Sequence, residues 1–567
     1  ETIGIASIFP FLAILTNPEI IETNFFLNLL YAKILNFKII TINQFLFILG
    51  ILTFIIFLIS LIFKSFATYK QAQFNYLIER DFGKRLLQGY FNHRYSWILN
   101  KDISNIGKNL LNELANVKGG IISPIITLFS QAILSVSIII LLFILNPAIA
   151  INISIAFLIV YAVIFFIVRK ILIKLGEDRL LANKKRFVSV FNAFNAFKLI
   201  KLQSVQKVFI KIFYKYSDIY LKNEAKGLLI SQLPRYFIEG LAFGGMLIII
   251  LFLIGTGKEL SNIIPLLAVY GFSGYRLLPA FQLMYNSFSQ IRFSLPSFEL
   301  IYNEYKSIEK IKSEKNYNED IVNFSRNIKF TNLEFSYPHH KEKILRNINL
   351  NIQANKKIGI IGHTGSGKST LLDILLGLLD VDSGLFQIDD KIININNVKS
   401  WQSKIGYVPQ DIYLMNDTIF SNIAFGTDIN KIDHDQVLKS AEIANIHDFI
   451  NNELPQKYST IVGERGTRLS GGQIQRIGIA RALYNNPSVL IFDEGTSALD
   501  NITERNIIKN LDNIKDQVTI IMSTHRINSL KEFDKIILLE KGKIESEGTY
   551  SDLIKNSKSF NNIVNSN

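Results

Sequence analysis

Residues 362–370 read Gly362-His363-Thr364-Gly365-Ser366-Gly367-Lys368-Ser369-Thr370. This is a complete G-x-x-x-x-G-K-[ST] pattern, with Gly362, Gly367, Lys368 and Ser369 in register. The apolar run Ile358-Gly359-Ile360-Ile361 before it reads as a strand, and Leu371 to Leu376 after it as a helix. In that context the glycines let backbone N–H groups turn inward around a phosphate, and the helix start adds partial positive charge. Gly362, Gly365, Ser366, Gly367 and Thr370 then form the cradle. Lys368 reaches the β- and γ-phosphates, and the Ser369 hydroxyl is placed to ligate Mg²⁺. The alternative is a chance glycine-rich turn, which the flanking strand and helix argue against.

The chain around this loop supplies further groups of the same chemistry. The alternating stretch Ile328 to Phe335 reads as a strand, and Tyr337 just after it is a candidate to stack on a nucleotide base. Tyr407-Val408-Pro409 leads to Gln410, whose side chain can reach Mg²⁺ and an attacking water. Leu469-Ser470-Gly471-Gly472-Gln473 opens a helix over Ile474 to Tyr484, and its small residues expose N–H groups suited to a phosphate. One chain cannot easily aim two helix starts at one γ-phosphate. A second copy facing the first, each closing the other's nucleotide with Ser470 to Gln473, is the economical arrangement. Val489 to Phe492 is a buried strand ending in Asp493 and Glu494. Asp493 suits the Mg²⁺ shell, and Glu494 is placed to polarise water for in-line attack. Ser497-Ala498-Leu499-Asp500 turns away. Val518 to Met522 is a strand ending at Ser523-Thr524-His525, and His525 is a candidate γ-phosphate contact. On a parallel sheet these strand ends would collect on one edge, where ligands bind. Taken singly, Tyr337, Gln410 and His525 are each more often packing or solvated residues; their common setting raises them.

At 567 residues the chain should hold more than one domain. Its mean hydropathy of +0.25 is high for a soluble protein, and the apolar residues, 43 Phe among them, concentrate in the first half. The expected division is a transmembrane domain over 1–313, a linker over 314–326 and an α/β nucleotide-binding domain over 327–567. The net charge of +14 could suggest nucleic acid. The Lys and Arg cluster just after apolar spans, however, as the positive-inside rule produces. With no Cys, neither a disulfide nor a thiolate metal site exists.

Six spans are expected. Thr2 to Leu15 is the tail of the first, and since the chain opens on Glu1 its N-terminus is read as truncated. Asn17 to Phe37 reads as an interfacial helix on the outer side. Phe45 to Phe63, Ile121 to Leu145, Ala148 to Val168, Phe237 to Ile254 and Ile263 to Tyr285 complete the set. Asn146-Pro147 and Gly255 to Glu259 are short outer turns. The inner connections are long, with tips near Tyr95 to Asn105 and Phe191 to Lys201, candidate coupling helices for docking on the soluble half. Arg276 falls inside the sixth span. An intramembrane Arg is costly and normally faces water or a partner, so it is the candidate contact for an anionic headgroup. Lys64 and Arg235 read as snorkelling or interfacial residues.

With these motifs in hand, the sequence resembles the ATP-binding cassette (ABC) transporters of the exporter type, the type IV fold. GHTGSGKS, Gln410, LSGGQ, LIFDE, SALD and His525 stand in the family's order. Gly463-Glu464-Arg465-Gly466 is similar to the exporter loop that senses the membrane half. One departure is Gly495, where Ala is usual. The resemblance implies a six-helix, all-α transmembrane domain before the cassette, and a homodimer with two ATP molecules sandwiched between cassettes. In the first half, Ile8-Phe9-Pro10-Phe11, Leu233-Pro234-Arg235 and Tyr275 to Pro279 resemble the lipid-linked oligosaccharide flippases of bacterial N-glycosylation. Gln282 and Leu283 stand where a basic residue would be expected. The resemblance implies an ATP-driven flippase in the cell inner membrane, its cassette cytoplasmic and its substrate an amphipathic glycolipid. The rival expectations are export of another lipid, peptide or hydrophobic compound, a non-transport ATPase, and an ATP-gated channel. The apolar first half argues against the second and Glu494 against the third.

Overall fold

The computed structural model describes residues 11, 14, 31, 41–145, 147–255, 264–314, 321–337, 342–512 and 518–566. Inside several helices of the first half, at residue 276 among others, it describes the backbone alone. The expected first span and outer helix lie almost wholly outside the described residues, as do Asn146 and the turn after Gly255.

The chain forms two compact units, Glu1–His93 with Lys101–Ile311, and Arg94–Asn100 with Lys312–Asn567. The described part of the first unit is helical. Helix α1 spans Ile42–Asn92; the short α2, Tyr95–Leu99, belongs to the second unit. Helix α3 follows a continuous path through Ile103–Lys108, Asn109–Glu113, Leu114–Val117, Lys118–Ile122 and Ser123–Leu145. The second and fourth of these pieces are π-helical, each inserting a residue and rotating the helix beyond it. Helices α4 (Pro147–Asn195), α5 (Phe197–Leu202), α6 (Gln206–Gly255) and α7 (Ile264–Glu314) complete it. The 51 residues of α1 rise about 75 Å, more than twice the ~30 Å of a bilayer's hydrocarbon. Long polar extensions beyond the apolar stretches therefore follow from length alone. Among the described residues, Asn43–Asn92 and Ile103–Ile140 are long and apolar enough to cross a membrane.

Close approach of these helices beyond the apolar spans rests on residues without a side chain. A Cβ on Gly120 of α3 would stand 1.9 Å from Ser294 Oγ of α7, and one on Gly176 of α4 would stand 2.1 Å from the Phe293 carbonyl oxygen. Beside these contacts lies a buried polar cluster. The Glu113 carboxylate is 1 % exposed and accepts from Asn183 Nδ2 (2.8 Å), Ser297 Oγ (2.7 Å) and Asn116 Nδ2 (3.2 Å). Buried Lys108 lies 3.7 Å away. Arg179 donates to Ser297 Oγ and to Glu224, so α3, α4, α6 and α7 are joined by one network.

The second unit holds two sheets. The antiparallel one has the order β2 (Leu345–Gln353), β1 (Asn327–Phe335), β4 (Ser383–Ile388), β5 (Lys391–Ile392). The six-stranded one has the order β10 (Lys543–Gly548), β9 (Lys535–Glu540), β3 (Lys357–Ile361), β8 (Thr519–Ser523), β7 (Val489–Asp493), β6 (Ile405–Val408). It is parallel except for β10. Its central strands are apolar on both faces, and the alternation sorts them cleanly. Val489, Ile491 and Ile521 join a core with β1, β2 and helix α8 (Lys368–Leu375). Leu490, Phe492, Ile520 and Met522 join the other, under helix α9 (Gly471–Tyr484).

One boundary differs from the expectation. Residues 321–326, expected as linker, pack on the cassette. Val322 is fully buried in the core, and Asp389 accepts from the backbone of Ser325, Arg326 and Asn327. The linker departs for a local reason: a buried Val and an acid aimed at free N–H groups outweigh the polar composition of the segment. Residues Arg94–Asn100 also join that unit, as expected for the tip near Tyr95 to Asn105, with Arg94 Nη1 2.9 Å from Asp380 Oδ2.

Candidate nucleotide site

The parallel strands bring their carboxyl ends to one edge in register. Ile360 pairs with Ser523, Asp493 with Ser523, and Val408 with Phe492. The segments leaving β3, β6, β7 and β8 therefore start side by side.

The phosphate loop leaves β3. Gly365 (φ +79°) and Gly367 (φ +103°) take a backbone that disfavours side chains, and a Cβ on Gly362 would stand 2.3 Å from the Leu539 carbonyl oxygen. Gly367 caps α8, so the N–H groups of Lys368 and its neighbours face the loop. Lys368 Nζ, 7 % exposed, donates to the carbonyls of Gly362 (2.8 Å) and His363 (3.3 Å). Burial holds its pKa below the usual lysine value, against the pull of Glu494 and Asp493. Tyr337 sits beside the loop with its hydroxyl 3.2 Å from Thr370 Oγ1 and its ring edge-on to Phe335. Ser366 Oγ and Ser523 Oγ are buried polar atoms without a partner among the described residues. Such atoms in a loop of inward-turned N–H groups fit an anionic ligand.

Asp493 ends β7 near the Ser369 side chain, which favours its ionised form. Burial, then the neighbouring Glu494, raises its pKa. A positive charge at that position would restore the ionised form. Among the described residues no cluster of three or more His, Asp or Glu could hold a metal alone. The Ser369 hydroxyl and the Asp493 carboxylate supply hard oxygens beside the loop. This suits Mg²⁺ completed by phosphate oxygens and water.

Glu494 adopts φ +52°, a left-handed backbone uncommon outside Gly, held by Glu494 N–H donating to Ser523 O (3.0 Å). Its carboxylate meets His525 Nε2 at 2.9 Å and accepts from Gln410 Nε2 at 2.8 Å. Gln410, Glu494 and His525, from three strand ends, thus share one carboxylate. Gly495 follows, and a Cβ there would stand 2.6 Å from Val408 Cγ1. Val408 leads into Gln410, so the missing side chain at 495 lets the β6 segment close on the site.

Ser470 to Gln473 are placed differently. Ser470 caps α9 in a box with Gln473, whose Oε1 accepts from Ser470 N–H at 2.8 Å. Among the described residues none of their hydrogen bonds reaches the phosphate loop. The Arg276 side chain lies outside the described residues. Sequence reading missed Arg526, Gln475 and Glu504, which surround the turn Ser497 to Asp500. Arg526 bonds main-chain carbonyls, Gln475 a main-chain N–H and the Ser497 hydroxyl, and Glu504 the Thr496 hydroxyl, and no spacing rule marks such residues.

Comparison with known proteins agrees with this arrangement. Residues 8–261 match the ABC transporter transmembrane region and residues 345–497 the ABC transporter family model. The chain is 44 % identical over 227 residues to ABC transporter B family member 24, mitochondrial, of Arabidopsis thaliana (40 % of this chain, 33 % of that protein). It is 42 % identical over 236 residues to the alpha-hemolysin translocation ATP-binding protein HlyB of Proteus vulgaris (41 % and 32 %). The chain spans about a third of the length of these curated relatives. A solved structure of a bacterial Atm1-family ABC exporter with ATP bound shares the fold, with TM-score 0.80 and 23 % identity, covering 92 % of this chain and 91 % of that one. Between them the two family models take in most of the polypeptide, in the order of the two units. The chain thus carries a stretch matching the ABC transporter transmembrane region followed by one matching the ABC transporter family, and it shares the fold of an ABC exporter.

Proposed function

We propose that this protein hydrolyses ATP between two copies of itself and uses the cycle to move an amphipathic, lipid-linked substrate across a membrane. The observation that carries the first part is the convergence of Gln410, Glu494 and His525 beside Lys368 and Asp493. Lys368 and the loop N–H groups bind the β- and γ-phosphates, Tyr337 stacks on the base, and His525 orients the γ-phosphate. Glu494 accepts the proton of the attacking water, held in place by Gln410. Ser369, Asp493 and Gln410 would hold Mg²⁺, which would supply positive charge against the phosphates. Ser470 to Gln473 close the nucleotide of the facing copy, so the working form is a homodimer with two sites. Glu494→Gln should lower ATP turnover at least about 100-fold with nucleotide binding retained. Undiminished steady turnover in that variant would refute the assignment.

A cavity of about 360 Å³ in the first unit supports the second part. It is lined by Tyr161, Arg235, Glu239, Leu278, Pro279 and Gln282 among others. Tyr161 Oη and Gln282 Oε1 are buried without a partner among the described residues, and Arg235 pairs with Glu239 at 2.7 Å. Unpaired polar atoms beside apolar walls suit a hydroxyl-bearing headgroup on an apolar tail. Arg276, on the same helix as Gln282, is the further candidate for an anionic linkage. The preferred substrate is a lipid-linked oligosaccharide, flipped across an inner membrane with the cassettes on the cytoplasmic side. The names of the toxin-translocation relatives favour a polypeptide as the second reading. Reconstituted vesicles decide: ATP-dependent movement of a labelled glycolipid, lost in Arg276→Ala, supports the first. Movement of peptide with no response to glycolipid supports the second.

A further inference from the structure

The turn Ser497 to Asp500 is held from two sides by side chains with no role in the chemistry above. From the segment after β8, Arg526 Nη1 donates to the Leu499 carbonyl at 2.8 Å and Nη2 to the Ser497 carbonyl at 2.7 Å. Arg526 Nη1 also lies 3.6 Å from the Glu504 carboxylate, which is 3 % exposed and accepts from Thr496 Oγ1 at 2.8 Å. From α9, Gln475 accepts from Ala498 N–H at 2.8 Å and donates to Ser497 Oγ at 3.1 Å. The N-terminal glycines of α9 lie on the same turn. A Cβ on Gly471 would stand 3.5 Å from Ala498 Cβ, and one on Gly472 3.4 Å from the Ala498 carbonyl oxygen.

Arg526 adjoins His525, and Ser497 N–H donates to the Glu494 carbonyl at 3.1 Å. An unbroken path therefore runs from the Glu494–His525 pair through the turn to the start of α9, where Ser470 sits. Only the forked guanidinium of Arg can hold two carbonyls and a buried carboxylate at once. We infer that Arg526 is a positioning residue that fixes Ser497 to Leu499 against α9, so that the state of the Glu494–His525 pair sets the position of Ser470. Because Ser470 serves the facing nucleotide, this makes each site responsive to the other. The inference rests on the proposed ATP hydrolysis by paired copies.

The test uses the full chain in lipid nanodiscs, with ATP turnover measured against ATP concentration and nucleotide binding measured separately. Arg526→Ala should bring the Hill coefficient from above 1 to 1 and lower kcat about tenfold, with nucleotide affinity changed less than about twofold. Arg526→Lys should not restore cooperativity, since an ammonium lacks the fork. Gln475→Ala, on the other side of the turn, should also lower the Hill coefficient, and it decides the matter if Arg526→Ala fails to fold. A wild-type Hill coefficient in Gln475→Ala, together with either unfolding or unchanged cooperativity in Arg526→Ala, would overturn the inference. So would an equal fall in nucleotide affinity and turnover in Arg526→Ala. A wild-type chain that binds but never hydrolyses ATP would instead overturn the proposed function itself.

Discussion

Glu494 combines a left-handed backbone with two side-chain partners, so its carboxylate is held by its surroundings rather than by its own preference. Gly495 behind it is equally constrained. Gly495→Ala should force Val408 to move, cost about 1–2 kcal/mol of overpacking and lower ATP turnover several-fold through Gln410. Val408→Ala in the same chain should recover part of both losses, which a melting curve and a turnover assay will register. At this scale the sequence was legible where chemistry is written in the residue type. The phosphate loop, Asp493 and Glu494 needed only their spacing. Gln410 and His525 are ordinary residues whose meaning came from neighbours far along the chain. Arg526 and Gln475 were silent, because a bond to a main-chain carbonyl or N–H depends on where the backbone goes and not on which residue supplies it.

Among elements, α3 departs most from what periodicity suggests. Its two π-helical turns lie on either side of Leu114–Val117, and Glu113 closes the first of them. A hydrophobic pattern read at 3.6 residues per turn does not reveal such insertions, nor the buried acid they present. Glu113→Ala should destabilise the first unit by about 3 kcal/mol, since buried Lys108 would lose its compensating charge and Asn183 and Ser297 their acceptor. Glu113→Gln should cost less, because the amide oxygen still accepts from Asn183 while its NH2 can donate to the Ser297 hydroxyl, which can reverse its role. Thermal unfolding in detergent compares the two. On α8, burial and then the nearby Asp493 raise the pKa of Asp373 to about 6. The folded chain therefore binds more protons than the unfolded chain between about pH 4 and pH 6, and stability from this group falls as pH rises through that window. Above pH 6 the full penalty persists. Asp373→Asn should stabilise the protein at pH 7.5 by about 1 kcal/mol, discounted for partial exposure, and have a smaller effect near pH 4. Melting temperatures of both proteins at the two pH values provide the check.

For the molecule as a whole, two folding units were readable from where the apolar residues concentrate, and the order of strand and motif fixed the α/β character of the second. The limits of each unit were not readable. Residues 321–326 look like a tether, yet Val322 is in the core. Arg94–Asn100 lie deep in the first half of the sequence and pack with the second unit, as expected for a docking tip there, with Tyr95 close enough to Asp373 for their charges to interact. The aromatic tip marked the docking; its exact limits depend on contacts such as Arg94 with Asp380, which local composition does not report.

That heptapeptide sets a rule for anyone wishing to transplant the motor. Trimming at residue 327 removes both Arg94, the ionic mate of Asp380, and the buried Val322. The isolated engine would thus be missing two of its own parts. A faithful graft carries them along, as a fused peptide and an extended leader, or accepts a weaker machine.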